Sequence, residues 1–306
     1  MPEQPCAFHP DRLTAVTCTN CGRAICPDDM IEAPVGYQCP VCTGRAREGA
    51  AGAASYRTRS AVQRQADKFP LVRIISGAGV TQALIAINVA LFVALLAAGG
   101  WEDSDNLIRF GALRVPLRAS EWWRLFTAMF VHIGAFHLLF NMYALFLFGP
   151  AVEARYGRFR FLVLYLSAGF LGSAMSVALT SGFGVRAGAS GGVFGILGCW
   201  IAFYVRHRDL QGSRDQLRSL FFLVGINLFF GFSIGGIDNF AHLGGLVGGF
   251  VAGSGLEKWS RSRGDTGRLA ALVGFALVIG AGVFALIASG NVVSGNQFPL
   301  SPFLGG

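Results

Sequence analysis

The stretch LFTAMFVHIGAFHLLFNMYALFLFGPAV, residues 125–152, has 28 residues and contains no Asp, Glu, Lys or Arg. A helix needs about 20 apolar residues to cross the roughly 30 Å hydrocarbon core of a bilayer, so this segment is long enough to span one. Six more charge-free segments of at least 18 residues follow residue 73: 74–101, 161–185, 187–205, 219–237, 239–256 and 269–306. The sequence therefore predicts an all-α polytopic membrane protein with seven spans.

The composition agrees with this fold class. Charged residues make up 14% of the 306 residues and apolar residues 53%, whereas soluble domains carry roughly 25% charged residues. So few charges cannot cover the surface of a single soluble globule. The chain is therefore not expected to be a soluble enzyme or a disordered protein.

The Lys and Arg residues between the spans predict the orientation. Eighteen of them lie in segments 43–73, 153–160, 206–218 and 257–268, and five lie in the connections on the other side of the membrane. Positive loops stay in the cytoplasm, so we expect a cytoplasmic N-terminus, an extracytoplasmic C-terminus and a location in the cell (plasma or inner) membrane. This topology accounts for the net charge of +8, and no nucleic-acid partner is expected.

Six of the seven cysteines lie between residues 6 and 42, after a polar N-terminus without a secretory signal. We expect these thiols to remain in a reducing cytosol and to bind metal. The candidate ligands form four pairs, each with two intervening residues: Cys6–His9, Cys18–Cys21, Cys26–Asp29 and Cys39–Cys42. The four cysteines of the second and fourth pairs fit one tetrahedral zinc site. The other four residues predict a second site, in which Asp29 is an unusual ligand.

This alternation of pairs resembles the cross-braced B-box-type zinc fingers. The resemblance implies that the first and third pairs share one Zn²⁺ ion and that the second and fourth pairs share another. Both ions are expected to be structural, and no cofactor is expected for catalysis. The finger is expected to bind a cytosolic protein partner or to regulate the rest of the chain.

Polar residues within the spans mark a candidate site, because such groups are costly in a bilayer. His132, His137 and Asn141 lie in or beside the second span, Ser190 begins the fourth and His242 is near the start of the sixth. All three spans run from outside to inside, so these residues share one depth near the outer leaflet. A serine and a histidine at one depth are a candidate nucleophile and general base.

The spacing of glycines supports contact between the fourth and sixth spans. Small residues four apart allow helices to approach closely, as a Ser–His hydrogen bond within about 3.2 Å requires. The glycines are Gly188, Gly191, Gly192, Gly195 and Gly198 in the fourth span, and Gly244, Gly245, Gly248, Gly249 and Gly253 in the sixth. Asp238 is the one acidic residue at this depth, so we expect a dyad and not a triad.

Taken together, the motifs resemble those of the rhomboid family of intramembrane serine proteases. The matching residues are Trp123-Arg124, His137-x3-Asn141 with His132 upstream, Glu153-x-Arg155, Gly188-Ala189-Ser190-Gly191, and Ala241-His242-x2-Gly245. The resemblance covers about residues 80–257 and implies that Ser190 is the nucleophile and His242 the general base. His137, Asn141 and the Ser190 N–H would form the oxyanion hole.

The resemblance also implies structural roles. Gly191 and Gly245 would allow close helix packing, Trp123 and Arg124 would steady the first loop, and Phe194 would stack on His242 where some members carry Tyr. The domains implied are a finger at 1–42, a basic linker at 43–76, a six-span catalytic core at 77–257, a cytoplasmic loop with a seventh helix at 258–290 and a tail at 291–306.

The resemblance implies a reaction as well. A membrane-anchored protein substrate would be cut near the outer face of the bilayer. Three alternatives stay open: a catalytically silent rhomboid-like protein that binds membrane clients, a channel or transporter that uses the histidines as relays, and a membrane-anchored zinc-finger adaptor.

Overall fold

The computed structural model describes residues 3–32, 36–43, 78–210, 212–233, 236–261 and 265–294. They belong to two compact units, one within residues 1–68 and the other within residues 69–306. Apart from Thr43, the predicted linker lies outside the described residues, and so does the predicted tail beyond Ser294.

The first unit contains two short antiparallel hairpins. Strand β1 (Gln4–Pro5) pairs with β2 (Leu13–Thr14), and β3 (Ile31–Glu32) pairs with β4 (Tyr37–Gln38). The buried core of the unit consists of Ile25 with the side chains of Cys18 and Cys39. So small an apolar core is too little to stabilise a domain of this size without a metal or another crosslink.

The second unit is a helical bundle. Its α-helices are α1 (Gly79–Ala97), α2 (Ser104–Arg109), α3 (Arg124–Thr127), α4 (Ala135–Tyr156), α5 (Arg158–Leu179), α6 (Ser190–Arg206), α7 (Ser213–Ser233), α8 (Asn239–Arg261) and α9 (Asp265–Ser289). Seven of these coincide with the seven predicted spans, and the all-α polytopic fold class is confirmed.

The second predicted span differs from its helix at both ends. The second span begins at Ala135 and not near residue 125, because Gly134 takes a positive φ of 97° that separates α4 from the short turns before it. The same helix continues to Tyr156. The motif Glu153-x-Arg155 therefore lies inside the helix and not after it.

Length and hydropathy divide the seven helices into two groups. Within the described part of the chain, α1, α4, α5, α7 and the Thr266–Ser289 part of α9 are long and apolar enough to cross a membrane. Helix α6 has only 17 residues, and α8 is long but rich in glycine and polar residues. Helix α6 is apolar but short, and α8 can be less apolar than a lipid-facing helix because it contacts α5, α6 and α7.

Helices α6 and α8 approach each other through their glycines. A Cβ atom added at Gly245 would lie 2.1 Å from the carbonyl oxygen of Gly191, and one added at Gly249 would lie 1.9 Å from that of Gly195. The remaining predicted glycine row of α8, with Gly244 and Gly248, faces α5. Helix α8 therefore lies between α5 and α6 at backbone contact distance.

Two buried glutamates join the ends of neighbouring helices. Glu153, 2% exposed, accepts hydrogen bonds from the backbone N–H groups of Val80 at 2.9 Å and Thr81 at 2.8 Å. These N–H groups in the first turn of α1 have no partners within the helix, and a carboxylate there is favourable. Glu257 of α8 accepts two bonds from the guanidinium of Arg155 in α4, at 2.8 and 3.1 Å.

Short strands join the connections at one end of the bundle. Strand β5 (Leu113–Val115) is antiparallel to β7 (Gly184–Arg186), which precedes α6, and β6 (Leu117–Arg118) is parallel to β8 (Val292–Val293), which follows α9. Asn291 fixes β8, because its Nδ2 donates to the carbonyl oxygens of Val177 at 2.8 Å and Thr180 at 3.3 Å. These two pairings connect the segment after α9, through β6 and β5, with β7, the strand that precedes Ser190.

Asn291→Ala is expected to destabilise the second unit by about 1–3 kcal/mol, because it leaves carbonyl groups at the end of α5 without their donor. Asn291→Asp should be less stable still, since its carboxylate would face those carbonyl oxygens. Thermal unfolding in detergent ranks the proteins, and we expect the order wild type, alanine variant, aspartate variant. An aspartate variant as stable as wild type would contradict the assigned contacts.

Candidate active site

A cavity of about 500 Å³ lies between residues of α4, β7, α6, α7 and α8. Ser190, His242, His137 and Asn141 all line it. The structure thus brings together four predicted residues from three helices that are far apart in the sequence.

Ser190 is placed by a tightly constrained turn. Gly188 has a φ of 138°, and a Cβ atom there would lie 2.6 Å from the ring of His137. The backbone N–H of Ala189 donates to Nε2 of the fully buried His132 at 3.3 Å. Ser190 is the first residue of α6, so its backbone N–H has no acceptor within the helix.

His242 lies in the first turn of α8 and is 7% exposed. Its ring stacks on Phe194 of α6, with centroids 4.2 Å apart and planes inclined by 7°. Its Nδ1 is buried without a hydrogen-bond partner among the described residues, which leaves Nε2 as the nitrogen available to the cavity. Ser190 and His242 are not hydrogen bonded to each other, unlike the sequence-based expectation. Catalytic hydrogen bonds are often long without substrate.

Asp238 positions the start of α8 and does not bind the ring of His242. Its Oδ1 accepts from the backbone N–H of Ala241 at 3.0 Å, and its Oδ2 accepts from the hydroxyl of Ser176 in α5. The Nε atom of Arg186 in β7 is 3.6 Å from the same Oδ2. Asp238 thus links α5, β7 and α8. An Asp just before a helix is a typical N-cap, and this was the signal available in the sequence.

His137 and Asn141 lie one turn apart on α4 and line the cavity together. The Nδ2 of Asn141 donates to the carbonyl oxygen of His137 at 2.9 Å, which uses one of the two N–H bonds of this amide. The other N–H is available to a ligand. The ring of His137 contacts that of His132 edge to face, with centroids 5.1 Å apart.

Trp123 and Arg124 are not among the cavity residues. Arg124 is 6% exposed and donates to the carbonyl oxygens of Ile108 at 2.5 Å and Ala112 at 3.0 Å. Its guanidinium lies 4.3 Å from the centroid of a Trp123 ring. These contacts fix the connection between α1 and α4.

Two polar residues of the cavity had no assigned role in the sequence analysis. Asn227 is a polar residue on α7, and Arg186 was counted only for its charge, yet both line the cavity. A polar residue within an apolar span was a signal that could have identified Asn227.

The finger contains the two predicted ligand clusters. Within each cluster the ligand atoms lie within 4.8 Å of one another, and the members are Cys18, Cys21, Cys39 and Cys42 in one and Cys6, His9, Cys26 and Asp29 in the other. The Sγ atoms of Cys21 and Cys39 are 3.8 Å apart. Tetrahedral zinc with Zn–S bonds of about 2.3 Å separates sulfur atoms by about 3.8 Å, so this donor set fits Zn²⁺.

A family model described as the Rhomboid domain matches residues 119–259. Rhomboid protease GluP of Bacillus subtilis (strain 168) is 39% identical over 201 residues, which are 65% of this chain and 39% of GluP. RHOMBOID-like protein 1 of Arabidopsis thaliana is 39% identical over 154 residues, 49% of this chain and 39% of that protein. YdcA of B. subtilis (strain 168), provisionally named a rhomboid protease, is 36% identical over 151 residues, 49% of this chain and 73% of YdcA.

The chain thus spans 39% of the length of GluP and of RHOMBOID-like protein 1. The match to the family model includes every cavity residue named above. With most of YdcA covered at this identity, the chain belongs to the rhomboid family.

Proposed function

We propose that this protein is an intramembrane serine endopeptidase that hydrolyses peptide bonds in or near the transmembrane segments of other proteins. One observation carries the proposal: Ser190 and His242 line the same cavity, on two helices whose backbones touch at Gly191 and Gly245. His137 and Asn141 line that cavity too.

The chemistry follows from these groups. The Ser190 hydroxyl oxygen bonds to the carbonyl carbon of the substrate while its proton passes to His242. The negative charge on the former carbonyl oxygen is stabilised by N–H donors of Ser190, His137 and Asn141. The peptide C–N bond then breaks as His242 returns the proton to the leaving amine. Water releases the acyl group by the same steps, with His242 again accepting a proton.

The surroundings of His242 favour a dyad. Stacking on Phe194 holds the ring plane, and Asp238 holds the backbone of the turn that carries it. No carboxylate among the described residues bonds to the ring. Phe194 has no hydroxyl, so its proposed role is only to stack on the ring of His242.

The positive-inside pattern supports a position of this cavity toward the outer leaflet. A cut there releases the extracytoplasmic part of a substrate. The same pattern supports a protein of the cell membrane whose finger lies in the cytoplasm. We propose that the finger holds two Zn²⁺ ions and contacts a cytosolic protein. The donor sets and their spacing support zinc, which would fold a segment with little core of its own.

The experiment uses the purified full chain in liposomes with a single-span reporter protein. We expect two products whose new ends, read by mass spectrometry, map to the part of the span near the outer face. A reporter that stays intact and co-purifies with the protein would favour the catalytically silent, client-binding alternative. A cut at the cytoplasmic end would contradict the proposed orientation.

A further inference from the structure

We propose that the two metal sites of the finger are unequal: the four-cysteine site keeps its Zn²⁺, and the site with Asp29 exchanges it. The finger would then respond to the zinc available to it. This inference rests on the proposed binding of zinc by the finger. It concerns the first unit alone and does not depend on the proposed protease activity.

The donor atoms differ between the sites. One offers four sulfur atoms, whereas the other offers two sulfur atoms, one imidazole nitrogen and one carboxylate oxygen. Soft thiolates select zinc, while carboxylates suit harder ions such as magnesium and calcium. The site with Asp29 therefore has the weaker donor set for zinc.

Asp29 is central to its site. Its Oδ2 lies 2.8 Å from Nδ1 of His9 and 3.2 Å from the Sγ atoms of Cys6 and Cys26. All three contacts meet the same carboxylate oxygen, so Asp29 would bind the ion through one atom. When this single weak donor dissociates, the ion keeps only three ligands.

Burial does not explain the proposed difference, because the site with Asp29 is the more enclosed of the two. Its Cys6, Cys26 and Asp29 are buried and only His9 is half-buried, whereas in the four-cysteine site Cys21 is exposed and Cys42 is half-buried. In each site a backbone N–H donates to a ligand sulfur at 3.3 Å, from Cys26 to Cys6 and from Cys39 to Cys18. The proposed difference in exchange thus rests on the donors His9 and Asp29.

Both sites contribute buried side chains to the finger. Ile25 packs with Cys18 and Cys39 of the four-cysteine site, and Cys6 and Cys26 of the other site are buried as well. Cys6 and His9 lie at the connection between β1 and β2. Loss of the second ion would release this connection, while Cys18 and Cys39 would keep their own ion.

The test measures metal on the full chain purified in detergent with zinc. Elemental analysis is expected to give two ions per chain. A chelator that changes colour when it binds zinc should remove them in two kinetic phases of equal amplitude. We expect the release rates of the two ions to differ by about tenfold or more. Changes outside the ligand shell can alter metal affinity by that factor, so a change of ligand should do so as well.

Substitutions assign the phases. Asp29→Cys should keep two ions and lose the fast phase, and Asp29→Ala should keep one slow ion. Asp28→Ala is the matched control, because the Asp28 side chain is exposed and pairs with Arg12 outside both sites. It should behave like wild type. Two ions that leave wild type at one rate, or a fast phase that persists in Asp29→Cys, would overturn the inference.

Discussion

Ser190→Ala is expected to lower kcat/KM for a membrane-anchored substrate on the order of 10⁴–10⁶-fold, which is the cost of removing the nucleophile from a serine protease. The hydroxyl oxygen is the atom that forms the acyl bond, and alanine offers no substitute. His242→Ala should cost about as much, because it removes the proposed general base. The measurement is initial cleavage rate in liposomes at matched protein concentration.

The double variant distinguishes a shared step from two separate effects. Because the proposed mechanism uses Ser190 and His242 in the same step, the double variant is expected to be no slower than either single variant. Ser254→Ala is the matched control, since this serine of α8 donates to the carbonyl of Phe250 in its own helix and does not line the cavity. It should cleave at the wild-type rate. Substantial cleavage by Ser190→Ala would contradict the assigned nucleophile.

Gly245→Ala has the second-largest expected effect, although it adds only a methyl group. That carbon would lie 2.1 Å from the carbonyl oxygen of Gly191, a backbone atom that cannot move aside alone. Helices α6 and α8 must separate, and Ser190 and His242 separate with them. A displacement of about 1 Å can cost about 100-fold in rate, and overpacking costs about 1–3 kcal/mol of stability.

Activity and thermal unfolding of Gly245→Ala are measured together. The control is Gly225→Ala on α7, where an added Cβ would meet no atom within 4 Å. This control should be as stable as wild type or slightly more so, because alanine is the better helix former. A Gly245→Ala protein with wild-type activity would show that the close approach of α6 and α8 is not required.

The helices could be predicted because the membrane constrains them so strongly. Each charge-free segment contains a helix, including α6, which is apolar but short, and α8, which is rich in glycine. The start of α4 could not be predicted from charge alone, since the residues before Gly134 are apolar but form short turns within the protein. Hydropathy does not distinguish a segment buried in protein from one buried in lipid.

The candidate site was predictable where one residue type carries the chemistry. Ser190 and His242 were selected because they share one predicted depth with His137 and Asn141, and ionisable groups are rare in spans. The supporting contacts did not, because they join distant segments: Asp238 with Ser176, and Asn291 with the end of α5. Such pairs depend on how the helices pack, and no local pattern in the sequence encodes that packing.

Labelling with a serine-reactive phosphonate tests the central claim most directly, because it needs no knowledge of the substrate. The purified chain is treated with the probe, digested and analysed by mass spectrometry. We expect one adduct, on Ser190, which is absent from heat-denatured protein and strongly reduced in His242→Ala. Failure to label Ser190 in folded protein, or equal labelling in His242→Ala, would contradict a nucleophile activated by His242.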